Sequence, residues 1–331
     1  MTQEIPSLAK VYGDFFAMGA AVNRRTIDTH SELLKTHFNS VTAENEMKFE
    51  SLHRTRGDYD FASADAIVDF AVANGMKVRG HTLVWHNQTP KWVFEDADGH
   101  LVPGPEVERI QKEHMETVMG RYKDVVYAWD VVNEAISDSD DEFLRNSPWL
   151  RALGEGFIGD AFLRAHAIAP DAKLFYNDYN ETQPTKRDKI YRLVKQLRSE
   201  GVPVHGIGMQ GHWGLGGPSV SEIREAVELY SSLGVELQVT ELDISVFEFE
   251  DRRTDLKSPT TEMMERLAQR YEEIFALFRE YKSSITGVTF WGIADDSTWK
   301  DGFPVRGRKD WPLLFDVNHE PKAAFHRVVN F

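Results

Sequence analysis

Residues 125–134 read VVYAWDVVNE, a β-rich run that is apolar from Val125 to Val132 apart from Asp130 and stops on an amide and a carboxylate, Asn133 and Glu134. A strand with one wet face alternates apolar and polar residues. A nearly continuous apolar run belongs to a strand buried on both faces, which is the situation in parallel sheets covered by helices. Runs of the same kind recur at 15–22 (FFAMGAAV), 40–44 (SVTAE), 77–85 (KVRGHTLVW), 173–180 (KLFYNDYN), 204–212 (VHGIGMQGH), 236–244 (ELQVTELDI) and 285–295 (ITGVTFWGIAD).

Helical patterns fill the gaps. RRTIDTHSELLKTHF spaces Ile27, Leu33, Leu34 and Phe38 for one helix face. SADAIVDFAVANG offers an N-cap at Ser63 and a stop at Gly75, and SEIREAVELYSSLG opens at Ser221 and closes at Gly234. EMMERLAQRYEEIFALFREY (262–281) repeats the pattern. Eight strands, each followed by helix, predict an α/β fold of the (β/α)8 TIM-barrel type, with reactive residues at the C-terminal ends of the strands. A doubly wound open sheet is the alternative, but the first strand–helix turn, AAVNRRT, carries no glycine-rich phosphate loop. No linker or low-complexity stretch divides residues 1–331, so a single domain is expected.

Composition narrows the chemistry. The chain has 331 residues, 41% of them hydrophobic, enough for a large core, and a net charge of −15, which argues against nucleic acid or an anionic membrane as partner. There is no cysteine, which excludes disulfides and thiolate chemistry. Residues 1–22 lack the basic start, apolar stretch and cleavage site of a leader, and no run approaches the ~18 apolar residues of a membrane span, so a cytoplasmic location is expected.

The strand ends are unusually polar and aromatic: ENEMK (44–48), GHTLVWH (80–86), NE (133–134), YNDYN (176–180), QGHW (210–213), TELD (240–243) and FWGIADDSTW (290–299). Glu134 closes the fourth strand and Glu241 the seventh. Either alone could be a structural ion-pair partner. Two facing carboxyls, one protonated and one ionised, are what cleavage of a glycosidic bond requires. Tryptophans nearby would give flat platforms for sugar faces. His81 and His86 are not expected to bind metal, since no further ligand cluster accompanies them.

WDVVNEA together with TELD, GHTLVWH and ENEMK resembles glycoside hydrolase family 10, the retaining endo-β-1,4-xylanases, across essentially the whole chain, and in lacking a leader it resembles the intracellular xylanases of bacilli. The resemblance implies Glu134 as acid/base and Glu241 as nucleophile, with carboxyls about 5–5.5 Å apart. It implies Asn133 bonding the 2-hydroxyl of the cleaved sugar, a His212–Asp243 pair steadying the nucleophile, and Gln210, placed on the strand face of His212 by period two, bonding the nucleophile or the −1 sugar. Glu44, Asn45, Lys48, His81 and Trp85 match subsites on the non-reducing side. Trp291 and Trp299 would wall the −1 xylose and clash with the extra hydroxymethyl of glucose, and Tyr179 would be a platform on the aglycone side. A cis peptide at His81–Thr82 and a Glu134 pKa raised by the Glu241 charge and by partial desolvation complete the expectation. Trp129 and Phe290, in mid-strand, are assigned to the core. The charged loop 245–259 is either solvated surface or a wall of the aglycone end.

The implied substrate is xylan or short xylo-oligosaccharides, with no cofactor and no metal. A β-1,4-glucanase or cellobiosidase on the same scaffold is the alternative within enzymes. A non-catalytic sugar-binding barrel has no use for both carboxylates, and a metal-dependent barrel hydrolase is the fourth possibility.

Overall fold

A computed structural model describes residues 5–331; the first four residues of the stretch read for a leader lie outside it. Its strands are β1 (Ala17–Val22), β2 (Ser40–Ala43), β3 (Lys77–Trp85), β4 (Val126–Asn133), β5 (Lys173–Asp178), β6 (Gly206–Met209), β7 (His212–Gly214), β8 (Glu236–Ser245) and β9 (Ile285–Phe290). All pairings are parallel. β1 to β6 follow one another, β6 pairs with β8, β8 with β9, and β9 with β1, which closes an eight-stranded barrel. Helices lie between successive strands, giving the (β/α)8 TIM barrel. Among the described residues no helix is long and apolar enough to cross a membrane.

The sixth strand departs from its expected span of 204–212. It breaks after Met209 because Gly211 has a φ of +75°, a region open to glycine, and the chain resumes as the short β7 beside β8. Gln210 and His212 therefore do not share one regular strand face. The fifth and eighth expected strands are also shorter than read: their tails after Asp178 and Phe290 are loops.

Helix starts differ too. The 62–73 helix is capped at Phe61, not Ser63, with the Asp60 side chain accepting from the Ala62 N–H at 2.9 Å. The 220–231 helix is capped by Ser219, not Ser221: its hydroxyl accepts from Glu222 N–H while the Glu222 carboxylate accepts from the Ser219 N–H, a capping box. RRTIDTHSELLKTHF splits at His30 into helices Thr26–Thr29 and Ser31–His37, with Phe38 beyond the second. Gly75 and Gly234 take left-handed φ after their helices, as a stop requires.

Trp129 and Phe290 are buried in the core. Trp149, Trp213 and Trp311 are buried as well, the first two through indole N–H bonds to Trp85 O and Glu181 Oε1. The barrel interior is not wholly apolar. Arg79, on β3, donates to Gln238 Oε1 at 2.8 Å and to Asp130 Oδ1 at 2.6 Å, with its guanidinium over the Phe175 ring. A guanidinium taken out of water needs such a partner. Asp130 in turn meets His81 Nδ1 at 2.8 Å, so this buried chain of polar contacts climbs from the barrel centre to its mouth.

Candidate active site

At the C-terminal mouth lies a cleft of about 780 Å³ lined by Glu44, Asn45, Lys48, His81, Trp85, Asn133, Glu134, Tyr179, Gln210, His212, Glu241, Trp291 and Trp299. The fold thus gathers thirteen of the fourteen sequence-expected residues on one groove. Asp243, the fourteenth, sits behind it, bonded to His212 Nδ1 at 2.9 Å.

Glu134 follows the last residue of β4 with a φ of +58°, and its N–H donates to Asn177 O. This left-handed turn, costly for a residue with a side chain, swings the carboxyl off the strand and into the mouth. Trp85 Nε1 donates to its Oε2 at 2.8 Å and Gln210 Nε2 to its Oε1 at 2.9 Å. Gln210 therefore bonds Glu134 and not Glu241, the first of the two partners expected for it, the other being the −1 sugar; the break at Gly211 turns Gln210 and His212 apart. Burial pushes the Glu134 carboxyl above its usual range against the pull of Gln210 and Trp85, and the charge of Asp178 adds to the rise ahead of that of Glu241. The order corrects the expectation: desolvation dominates and the Glu241 charge is a minor contribution.

Glu241, in the middle of β8, accepts from Asn177 Nδ2 at 2.9 Å through Oε1 and meets His212 Nε2 at 3.0 Å through Oε2, with His81 Nε2 3.8 Å away. Burial works upward here too, but the His212 hydrogen bond and the imidazoles of His81 and His212 outweigh it and hold Glu241 below the usual carboxylate value. His212 is lowered by burial, yet the Asp243 charge and the bonds to Asp243 and Glu241 push it up to about 9. It is a cation at neutral pH. Lys300 lies 3.6 Å from Asp243, and Trp299 Nε1 donates to Asp243 at 2.7 Å.

The walls are aromatic. Trp291 stands edge-on to His81 with centroids 5.4 Å apart; Trp299 lies 4.8 Å from His212 and stacks on Phe303 at 5.0 Å. On the opposite side Lys48 Nζ donates to Asn45 and Gln88, both at 2.9 Å, and sits over the Trp85 ring. Burial raises Glu44 and lowers Lys48. Tyr179 has Lys186 Nζ 3.9 Å above one ring face and receives an Arg145 hydrogen bond on its hydroxyl.

Several site residues were not singled out from sequence. Asn177 bridges Glu241 and Asn133 Oδ1, each at 2.9 Å; it lay inside the quoted YNDYN, and only its neighbours across β4 and β8 reveal its role. Arg145 clasps the Glu134 carbonyl, and Gln88 holds Lys48. Glu181, buried beneath the β6–β7 break, accepts from Gly211 N–H at 3.2 Å and Trp213 Nε1 at 3.0 Å, and burial pushes it up to about 7. The loop 245–259 divides: Phe247, Glu248, Phe249 and Glu250 line a second cavity of about 690 Å³ that shares His212, Asn180 and Lys300 with the cleft, while most of 252–259 is exposed.

One carboxyl pushed above its usual range and one held below it, set in a groove walled by indoles, suit acid-assisted cleavage of an acetal between sugars. Fold and groove together define a barrel glycoside hydrolase.

The comparisons narrow the class. The profile of Glycosyl hydrolase family 10 matches residues 7–331. Endo-1,4-beta-xylanase B of Paenibacillus barcinonensis is 59% identical over 329 residues, 99% of each chain, and the endo-1,4-beta-xylanase of Geobacillus stearothermophilus is 57% identical over the full length of both. The crystal structure of xylanase XynB from Paenibacillus barcinonensis, complexed with a conduramine derivative, superposes with a TM-score of 0.97 at 58% identity over 99% of each chain. A mutant enzyme in complex with xylotriose matches with a TM-score of 0.97 at 51% identity, over 99% of this chain and all of that one. The chain belongs to glycosyl hydrolase family 10.

Proposed function

We propose that the chain is a retaining endo-β-1,4-xylanase that cleaves xylan-derived oligosaccharides by double displacement, with Glu134 as acid/base and Glu241 as nucleophile. The observation that carries the reading is the opposite proton bias of these two buried carboxyls on one cleft. A neutral Glu134 gives its proton to the glycosidic oxygen as the bond breaks, and ionised Glu241 attacks the anomeric carbon to form a glycosyl ester. Glu134, now a carboxylate, takes a proton from water, which attacks the same carbon and frees the sugar with its configuration retained.

Retention needs closely spaced carboxyls. A run of amide hydrogen bonds links the two: Glu134 to Gln210, Gln210 to Asn133 at 3.3 Å, Asn133 to Asn177, and Asn177 to Glu241. The Oδ1 of Asn133 is occupied by those two donors, which leaves its Nδ2 to donate to the 2-hydroxyl of the bound sugar. His212, positively charged between Asp243 and Glu241, favours the ionised nucleophile before attack and its release as a leaving group afterwards. The names of the relatives and the xylotriose held by a structural neighbour support xylose as the unit recognised.

The test is product analysis on xylotriose to xylohexaose with the anomeric configuration followed by NMR. Internal cleavage with initial β-products is expected. Initial α-products would overturn the mechanism, and faster hydrolysis of aryl cellobioside than of aryl xylobioside would overturn the substrate.

A further inference from the structure

Across the seam where β9 meets β1, three side chains outside the cleft converge. His30 lies in the segment after β1, Asp296 in the loop after β9, and His319 at the tip of a tight turn in which Asp316 N–H and Glu320 O pair at 2.9 Å. His30 Nε2 is 2.8 Å from Asp296 Oδ1, and His319 Nε2 is 3.4 Å from Asp296 Oδ2. The two imidazoles are 4.2 Å apart at their centroids, tilted by 39°. One donor atom from each of the three residues falls within 4.8 Å of the others.

We propose that His30, Asp296 and His319 form a binding site for a divalent transition-metal ion of the zinc type. Two imidazole nitrogens and one carboxylate are a donor set that zinc accepts, and neighbouring donors on a tetrahedral zinc stand about 3.4 Å apart. The 3.4 Å contact matches that spacing and the 2.8 Å contact is shorter, so His30 and Asp296 must part slightly to admit an ion.

The hydrogen-bond pattern is compatible with such an ion. Thr29 Oγ1 lies 2.7 Å from His30 Nδ1 and within 3.3 Å of the Arg25 carbonyl. If the hydroxyl donates to that carbonyl, it accepts from His30 Nδ1–H. The Nε2 lone pair then faces the carboxylate, the tautomer that a metal ligand requires. In that tautomer two acceptors face each other unless a cation lies between them, whereas in the other tautomer Nε2–H donates to Asp296 and the Thr29 hydroxyl to Nδ1. A divalent ion satisfies both nitrogens and the carboxylate at once. Burial also lowers the His30 pKa, which favours the neutral ring.

His30 is sealed off at its side chain, whereas Asp296 and His319 are 28% and 33% exposed, so the fourth coordination position faces solvent and takes water. The site would fasten the loop that carries Trp291 and Trp299 to the first βα segment. The Arg25–Ser297 hydrogen bond of 2.8 Å spans the same seam.

The test is titration of the tag-free, chelator-stripped protein with zinc chloride by calorimetry, with thermal melts alongside. One zinc per chain and a Tm rise of about 4 °C at a hundredfold excess over Kd are expected. His319→Gly, which suits the left-handed backbone there (φ +66°), should weaken binding at least tenfold and cut the Tm rise at the same zinc concentration to about half or less, with an unchanged circular dichroism spectrum. His100→Ala, in the exposed Asp96–Asp98–His100 group, should change neither. Absence of binding at 1 mM zinc, binding untouched by His319→Gly, or binding lost instead with His100→Ala would each overturn the site.

Discussion

At Glu134 a carboxyl must hold a proton at neutral pH and still release it to a departing oxygen. Its burial pushes the carboxyl toward the first property, and the acidity of the leaving group decides how much the second matters. Glu134→Ala should therefore slow cleavage of unactivated xylo-oligosaccharides by about 10²–10⁴-fold while barely affecting glycosylation by activated aryl xylosides, with partial rescue by azide. Glu241→Ala should slow every leaving group by about 10⁴-fold or more. Equal damage by Glu134→Ala across a leaving-group series, read as kcat/KM, would refute the assignment. His212 offers a pH-dependent counterpart. Its folded pKa of about 9 lies above the unfolded value of ~6.5, so its ion pairs stabilise the fold fully below pH ~6.5, and that contribution is lost as pH rises through 9. Denaturant melts at pH 6, 7.5 and 9 should show the wild type losing up to ~3 kcal/mol relative to His212→Gln across this window. A pH-independent difference would mean that His212 is not charged in the folded protein.

Among the elements, the strands carried the fold in legible form. Each is buried on both faces, so its apolar run stands out against polar connectors, and the eight runs locate all eight barrel strands. What sequence could not give is how neighbours meet. The break at Gly211 is invisible in VHGIGMQGH, yet it sends Gln210 to Glu134 and His212 to Glu241. The cap at Ser219 rather than Ser221 depends on how the chain enters the helix, and Asn177 reads as one more strand-end amide until Asn133 of β4 and Glu241 of β8 meet its side chain. Strand packing around that amide yields a prediction. A Cβ on Gly208 would lie 2.2 Å from Asn177 Oδ1 and 3.0 Å from Thr240 Cγ2, so alanine must displace the amide that holds Glu241. Gly208→Ala should cost about 1–3 kcal/mol of stability and lower kcat by roughly tenfold, with a smaller effect on KM. A destabilised enzyme with wild-type kcat would show that Asn177 does not position Glu241.

For the whole molecule, the decisive contact is between the two ends of the chain. A (β/α)8 barrel has no sheet edge only when its last strand pairs with its first, and here β9 does so along Ala17–Ala20. Outside that pairing the seam is sealed by the C-terminal helix Ala323–Val329, which packs on the 261–280 helix and accepts a 2.6 Å hydrogen bond from Tyr12 at Val328 O. Phe325 is fully buried there, 5.3 Å from the His37 ring of the first βα unit and 5.2 Å from Phe315. Truncating it leaves a cavity between chain ends that local structure cannot refill. Phe325→Ala should cost about 3–5 kcal/mol. With an unfolding entropy of roughly 0.7 kcal/mol per kelvin for a chain of this size, Tm should fall by about 4–7 °C. The cleft lies at the strand ends, away from this packing, so kcat/KM at 25 °C should stay within about twofold of wild type. Activity should vanish on heating in step with the circular dichroism transition, because a barrel opened at its seam no longer holds Glu134 and Glu241 on one groove. Loss of activity well below that transition would show instead that the site melts independently of ring closure.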